Sequence, residues 1–208
     1  MKVTEIFYSL QGEGIWLGRP AVFLRLGGCV KPYCPWCDTP YAWSEFLEMG
    51  IKEILKALGR YPCRNVVITG GEPFLQWEDL KVLHAQLIEC GYALQYETSG
   101  KAGIPAMEDA VIVCSPKNIK GTWLIDTACL ERADYLKFLY QGAASEGTIQ
   151  RFIIDNHIPA DKIYIMPEGA TRKAQLEKME SAFAFCKIHG YMLTVRLHIL
   201  IFDGGRGV

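Results

Sequence analysis

The chain has 208 residues, half of them hydrophobic and 22% charged, with a formal net charge of −1. That length suits one domain with a full core, and the balanced charge excludes the basic footprint of a nucleic-acid or acidic-membrane binder. No apolar run reaches the roughly 20 residues of a membrane-spanning helix, and the opening MKVTEIFYSLQGEG is too short in its apolar part, and too broken by charge, for a signal peptide.

In chain order, VTEIFYSL and PAVFLRLGG read as strands. IKEILKALGRY reads as a helix, because Ile51, Ile54, Leu55 and Leu58 fall at helical spacing. NVVITGG is a β-branched strand closing on two glycines, and WEDLKVLHAQLIECG is a helix that Gly91 stops. YALQYETSG and AVIVCSPK are strands ending in polar turns, and YLKFLY and KIYIMPEG continue the pattern. TRKAQLEKMESAFAFCKIHG is the clearest helix, with Thr171 as N-cap and Leu176, Met179, Phe183 and Cys186 on one face. YMLTVRLHIL reads as a last strand before the glycine-rich IFDGGRGV.

Strands alternating with helices predict an α/β fold with a parallel sheet. The helices are few and the chain is short for a complete (β/α)₈ barrel, so the expected architecture is an open, partial parallel β/α barrel of about six strands. Five strands run directly into polar or glycine-rich text: RLGGC, VITGGEP, YETSG, VCSPK and YIMPEG. Ligand sites in such folds form at the carboxyl ends of strands, so these five segments are expected to share one mouth.

Of eight cysteines, five are scattered singly and read as reduced core residues. The other three, Cys29, Cys34 and Cys37, crowd into nine residues at C-x4-C-x2-C spacing. Gly27, Gly28, Pro32 and Pro35 make this stretch a loop, in which three sulfurs can converge. Three thiolates without a fourth suit an iron–sulfur cluster with one open iron. A structural zinc site wants four ligands at paired spacings, and the nearest histidine is His84, although a distant ligand would serve. CPWC alone could be a redox dithiol, but Asp38 and Pro40 follow it at once and Cys29 is left without a role. Plain structural thiols are the fourth reading. Thiol usage as a whole points to a reducing cytosol. In TGGEP, backbone amides can meet a carboxylate, and Glu72 or nearby carbonyls can meet an ammonium group; the bland alternative is a turn. Arg25 lies inside an apolar strand, where a charge must be paired or face a cavity. An internal salt bridge, with Glu13 as the candidate partner, is one answer.

Taken together, SLQGEG (9–14), GRPAVFLRLGGC (18–29), CPWCDT (34–39), VITGGEP (67–73), ETSG (97–100), SPK (115–117) and the closing RGV resemble the radical S-adenosylmethionine (SAM) superfamily. Within it they resemble the 7-carboxy-7-deazaguanine synthase family, over nearly the whole chain. The resemblance implies one radical SAM domain over 1–208, with a cluster-binding loop at 27–43 and a C-terminal tail at 198–208 that closes on substrate. It implies a lyase that contracts the ring of 6-carboxy-5,6,7,8-tetrahydropterin, with loss of ammonia, to 7-carboxy-7-deazaguanine for queuosine or another deazapurine.

By the same resemblance, Cys29, Cys34 and Cys37 hold a [4Fe–4S] cluster whose open iron takes the amino and carboxylate groups of SAM. SAM lies against Trp36, Cys37, Asp38, Gly71, Ser115, Pro116, Lys117, Met166, Pro167 and Glu168. Substrate meets Leu10, Gln11, Gly12, Arg25 and Thr69, and the terminal carboxylate of Val208 reaches it. Thr39 holds Mg²⁺, against the plain alternative of a turn-capping threonine. No side chain is implied as an acid–base catalyst. Glu97 and Ser99 line the mouth, and His198 matches a tail histidine of the family. The implied partners are the pterin, a flavodoxin-type or other one-electron reductant and a second copy in a homodimer; nucleic acid and membrane are not among them, and the expected compartment is the cytoplasm. The chain departs from the family in having four residues, VKPY, between the first two cysteines where three are common, and in MPEG, where glutamine more often leads. Two other readings compete: a further radical SAM enzyme such as a glycyl-radical activase, and a zinc-stabilised binding module without catalysis.

Overall fold

Among the described residues, eleven strands and five α-helices follow one another in the order β1 (Lys2–Leu10), β2 (Pro20–Leu26), β3 (Leu47–Glu48), α1 (Ile51–Leu58), β4 (Asn65–Gly70), α2 (Trp77–Glu89), β5 (Ala93–Thr98), β6 (Ala110–Cys114), β7 (Lys117–Ile119), β8 (Thr122–Leu124), β9 (Tyr135–Tyr140), α3 (Glu146–Asp155), β10 (Ile163–Pro167), α4 (Arg172–His189), β11 (Met192–Leu193) and α5 (Leu197–Phe202). This computed structural model describes residues 1–203, 205 and 207. Val208, expected to reach the substrate, therefore lies outside the described residues.

Nine strands form one sheet in the order β11-β10-β9-β6-β5-β4-β2-β1-β3, and β7 and β8 make a separate hairpin. From β2 to β11 all neighbours run parallel; β1 and β3 are added antiparallel at one edge. The two edge strands do not pair with each other, so the barrel is open, as expected. β2, β4, β5, β6, β9 and β10 are the six longer parallel strands, and β11 pairs at only two positions.

The period of a strand explains why the sheet has one packed face and one chemical face. Val66 and Ile68 of β4 pack into a core with Ile54 and Leu58 of α1 and Leu80, Leu83 and Leu87 of α2. The intervening Val67 points the other way, toward Trp16, Ala21 and Phe23. The register carries that second face across the strands: Phe23 pairs with Val67, Arg25 with Thr69 and Val67 with Gln95. Arg25, Thr69, Gln95, Glu97 and Lys137 belong to this face.

Two expectations need correction. In α4 the stripe that reaches the core is Gln175, Ala182, Phe185 and Cys186. Leu176 and Phe183 are 55% and 59% exposed, about a quarter-turn off that stripe. The helix packs on β10 with Ala182 and Phe185 among its buried residues, and the Phe185 ring lies against Tyr140 of β9. In YMLTVRLHIL only Met192 and Leu193 extend the sheet. Thr194 Oγ1 accepts a hydrogen bond from Gly14 N at 2.7 Å, and Leu197 N donates to Gly12 O at 2.9 Å, so the chain leaves the sheet and winds into α5. The helix α3 was not expected either, although Ile149, Phe152 and Ile153 sit at its buried i, i+3, i+4 positions.

Candidate functional site

A cavity of about 640 Å³ opens at the carboxyl ends of the parallel strands, and all five expected strand-end segments line it. Cys29, Cys34 and Cys37 face the same space, with no disulfide among them. Their loop is braced from several sides. Gly27 N donates to Lys2 O at 3.0 Å and Gly28 N to Ala42 O at 2.8 Å, and Tyr33 stacks on Trp43 with ring centroids 4.1 Å apart. Among the described residues, no three His, Cys, Asp or Glu side chains converge closely enough for a single metal ion. A [4Fe–4S] cube does not ask for such convergence, because each thiolate bonds a different iron. The donor set, all thiol, also suits iron–sulfur ligation. Burial pushes the Cys29 thiol up, and the Lys101 ammonium is the main influence against it.

The double glycine at the end of β4 exists because two strand ends meet there. A Cβ on Gly70 would stand 2.2 Å from Leu26 O, and one on Gly71 would stand 2.0 Å from Gly28 O and 2.8 Å from the Cys29 Cβ. Glu72 is fully buried and is not among the residues that line the cavity. Its carboxylate accepts from Thr98 Oγ1 at 2.7 Å, Ser99 N at 3.0 Å and Ser99 Oγ at 2.5 Å, so it ties GGEP to ETSG. Gly71→Ala is expected to push the two strand ends apart. Iron bound after anaerobic reconstitution should fall to a small fraction of the wild-type value, while far-ultraviolet circular dichroism stays close to wild type.

The floor of the cavity is a chain of charges. Lys137 of β9, 3% exposed, bridges Glu13 Oε2 at 2.5 Å and Glu97 Oε2 at 2.9 Å. Arg196 Nε meets Glu13 Oε1 at 3.1 Å, and its guanidinium also pairs with Asp38 of the cysteine loop. Gln95 and Gln11 donate to Glu97 Oε1 at 2.8 and 3.3 Å. Burial alone would raise the Glu13 carboxyl, but Lys137, Arg196 and His198 together hold it well below the carboxylate range. Burial raises Glu97 despite Lys137. Two adjacent carboxylates are thus pushed in opposite directions.

Of the residues singled out in the sequence, Leu10, Gln11, Gly12, Arg25, Thr69 and Gly71 line the cavity. So do Trp36, Asp38, Ser115, Lys117, Met166 and Glu168, whereas Pro116 and Pro167 do not. Arg25 pairs with Glu5, Nε to Oε1 at 2.6 Å, rather than with Glu13. Tyr41 donates to the same oxygen at 3.0 Å, so Arg25 is oriented from the cysteine loop. Thr39 starts a short 3₁₀ turn without capping it through its side chain, and its hydroxyl lies 3.7 Å from Cys37 Sγ. Lys117 donates to Ser115 Oγ at 2.7 Å, and burial pulls its ammonium down while Cys34 opposes. His198 lies on α5, not on a strand; a Cβ on Gly12 would stand 2.3 Å from its Nδ1, so Gly12 leaves the room that the ring occupies. Lys137, Arg196, Glu5 and Lys101 were not foreseen. The signal that marked Arg25, a charge inside an apolar strand, also marks Lys137 in YLKFLY and Arg196 in MLTVRLHIL.

No protein-family model matches the chain. Among curated proteins, it is 36% identical to a 7-carboxy-7-deazaguanine synthase of Pyrobaculum aerophilum, over 100% of this chain and 97% of that protein. It is 34% identical to the 7-carboxy-7-deazaguanine synthase of Hyperthermus butylicus, over 97% of this chain and 92% of that one. Among solved structures, QueE from Escherichia coli superposes with a TM-score of 0.78 at 28% identity, covering 95% of this chain and 94% of the other.

Proposed function

The chain belongs to the 7-carboxy-7-deazaguanine synthase family, and from that premise we propose how its own residues serve the reaction. The enzyme is a radical SAM lyase of queuosine biosynthesis that forms 7-carboxy-7-deazaguanine from 6-carboxy-5,6,7,8-tetrahydropterin. The observation that carries the assignment of roles is the shared cavity, where three free thiols meet the ends of five strands. When bound, a [4Fe–4S] cluster and SAM supply a carbon radical able to take a hydrogen atom from the substrate.

Cys29, Cys34 and Cys37 hold the cluster. Trp36, Asp38, Gly71, Ser115, Lys117, Met166 and Glu168 bind SAM, with Pro116 and Pro167 contributing main chain. Lys117, part-buried and held by Ser115, presents a cation to that site. Gln11, Gly12, Thr69 and Leu10 form the pterin wall, and Val208 is assigned to the substrate. Arg25, steadied by Glu5, turns its remaining nitrogens to the pterin carboxylate in a planar fork. Thr39, whose hydroxyl is not spent on a cap, is offered to Mg²⁺, a hard ion that keeps few protein ligands. A one-electron reductant of the flavodoxin type and a second copy of the chain complete the reading. Among the described residues, no helix is long and apolar enough to cross a membrane.

The test is anaerobic reconstitution with iron and sulfide, then reduction in the presence of SAM, Mg²⁺ and the carboxypterin. Formation of the deazapurine is the expected result. SAM cleavage without deazapurine would favour an activase, and a colourless chain with one zinc and no iron would favour a binding module. Arg25→Ala should raise the pterin KM about 10-fold or more, the loss of a charge-assisted hydrogen bond, while slow SAM cleavage persists. Normal turnover in that variant would refute the assignment.

A further inference from the structure

The cysteine loop carries four residues between Cys29 and Cys34, and a longer loop has more freedom to lose when it holds a ligand. Two of its carbonyls are held from across the cavity. Lys101, in the turn after β5, donates from Nζ to Val30 O at 2.6 Å and to Pro32 O at 2.9 Å. Its own turn is fixed, with Lys101 N donating to Ser99 Oγ at 3.3 Å and Ser99 bound to buried Glu72. Glu72 N in turn donates to Gly28 O at 2.9 Å. Cys29 thus sits between two clamps, Glu72 N on Gly28 before it and Lys101 on Val30 and Pro32 after it. Among the described residues no carboxylate lies within ion-pair distance of Lys101. Its charge is therefore delivered to the loop itself.

We propose that Lys101 is a positioning residue for the iron–sulfur cluster, clamping the Val30–Pro32 segment so that Cys29 and Cys34 are presented together, and placing a positive charge beside the cluster. The inference rests on the cluster assignment above. The clamp lowers the freedom that the longer loop would otherwise lose on binding. The charge favours the reduced cluster: one electron arrives from an external one-electron reductant and the cluster gains one negative charge. Net charge near a cluster is one of the quantities that sets its potential.

The experiment compares full-length wild type, Lys101→Met and Lys101→Arg after anaerobic reconstitution. The readouts are iron per chain, the rate of iron loss to a chelator, and the midpoint potential from a redox titration followed by electron paramagnetic resonance. Lys101→Met should lose iron about 10-fold faster, the usual scale for a residue that supports metal ligands, and its potential should move negative. Lys101→Arg should return both toward wild type, and the cluster-free variants should melt close to the wild-type chain. Wild type that binds no iron would sink the cluster assignment and this inference with it. Wild type with a cluster, and Lys101→Met matching it in iron loss and potential, would overturn this inference alone.

Discussion

Cys34→Ala is expected to abolish both the cluster and the chemistry while leaving the fold intact. The thiol is half-buried on a loop, and the loop's local bond, Cys37 N to Cys34 O at 3.1 Å, is main chain that alanine keeps. A loop substitution of this kind changes stability by about 0.5 kcal/mol or less. Loss of one of three thiolates should therefore appear as iron content and visible absorbance falling to background, with no detectable SAM cleavage, at an almost unchanged cluster-free melting temperature. Cys186→Ala is the control. That thiol is buried in α4, where burial pushes it up to about 11, and its loss should leave iron content at the wild-type level. A Cys34→Ala chain that still held a full cluster would overturn the ligand assignment.

Lys137→Met should be the most damaging change away from the cysteines. It removes the cation shared by Glu13 and Glu97, and leaving a buried charge without its partner costs about 3–5 kcal/mol. The sign of the pH dependence follows from the two carboxylates. Glu13 is held below its unfolded value, so the stability it contributes is present above about pH 4.3 and is lost as pH falls through the folded value. Arg196 remains to hold it in the variant. Glu97 is already raised by burial and would lose its cation altogether. A carboxyl raised in the folded state binds its proton more readily there, so its penalty is absent below about pH 4.3 and grows as pH rises toward the folded value. Urea unfolding should therefore show a smaller deficit for Lys137→Met at pH 5 than at pH 8. An equal deficit at both would mean that Glu97 is not the group left exposed to the loss.

The buried charge chain was the part of the site least legible in advance, although its signal was present. Arg25 stood out because it interrupts AVFLRLGG, and the same reasoning applied to YLKFLY and MLTVRLHIL would have marked Lys137 and Arg196. What could not be read was the pairing. Glu13 and Arg196 are 183 residues apart, and Glu13 and Lys137 are 124 apart. Only the sheet order and its register bring them together. That is why Arg25 was given Glu13 as its candidate partner when Glu5, across the antiparallel β1–β2 pair, lies beside it.

The alternation of β-branched runs with helices determined by itself the parallel open sheet, because strands buried on both faces and crossover helices leave a strong local pattern. Strand-end glycines and the three clustered thiols likewise located the mouth, since both are local demands on backbone and chemistry. The tertiary structure decided the rest. It chose which stripe of α4 is buried, with Ala182, Phe185 and Cys186 inside and Leu176 and Phe183 outside, a matter of how the helix sits on the sheet rather than of apolar spacing. It turned the last expected strand into α5, because Gly12 and Gly14 draw that segment off the sheet edge. It also spent Glu72 on Thr98 and Ser99 and turned Lys101 onto the cysteine loop. Hydrogen bonds and ion pairs between distant segments have no period and no fixed spacing, so only the folded chain could assign them.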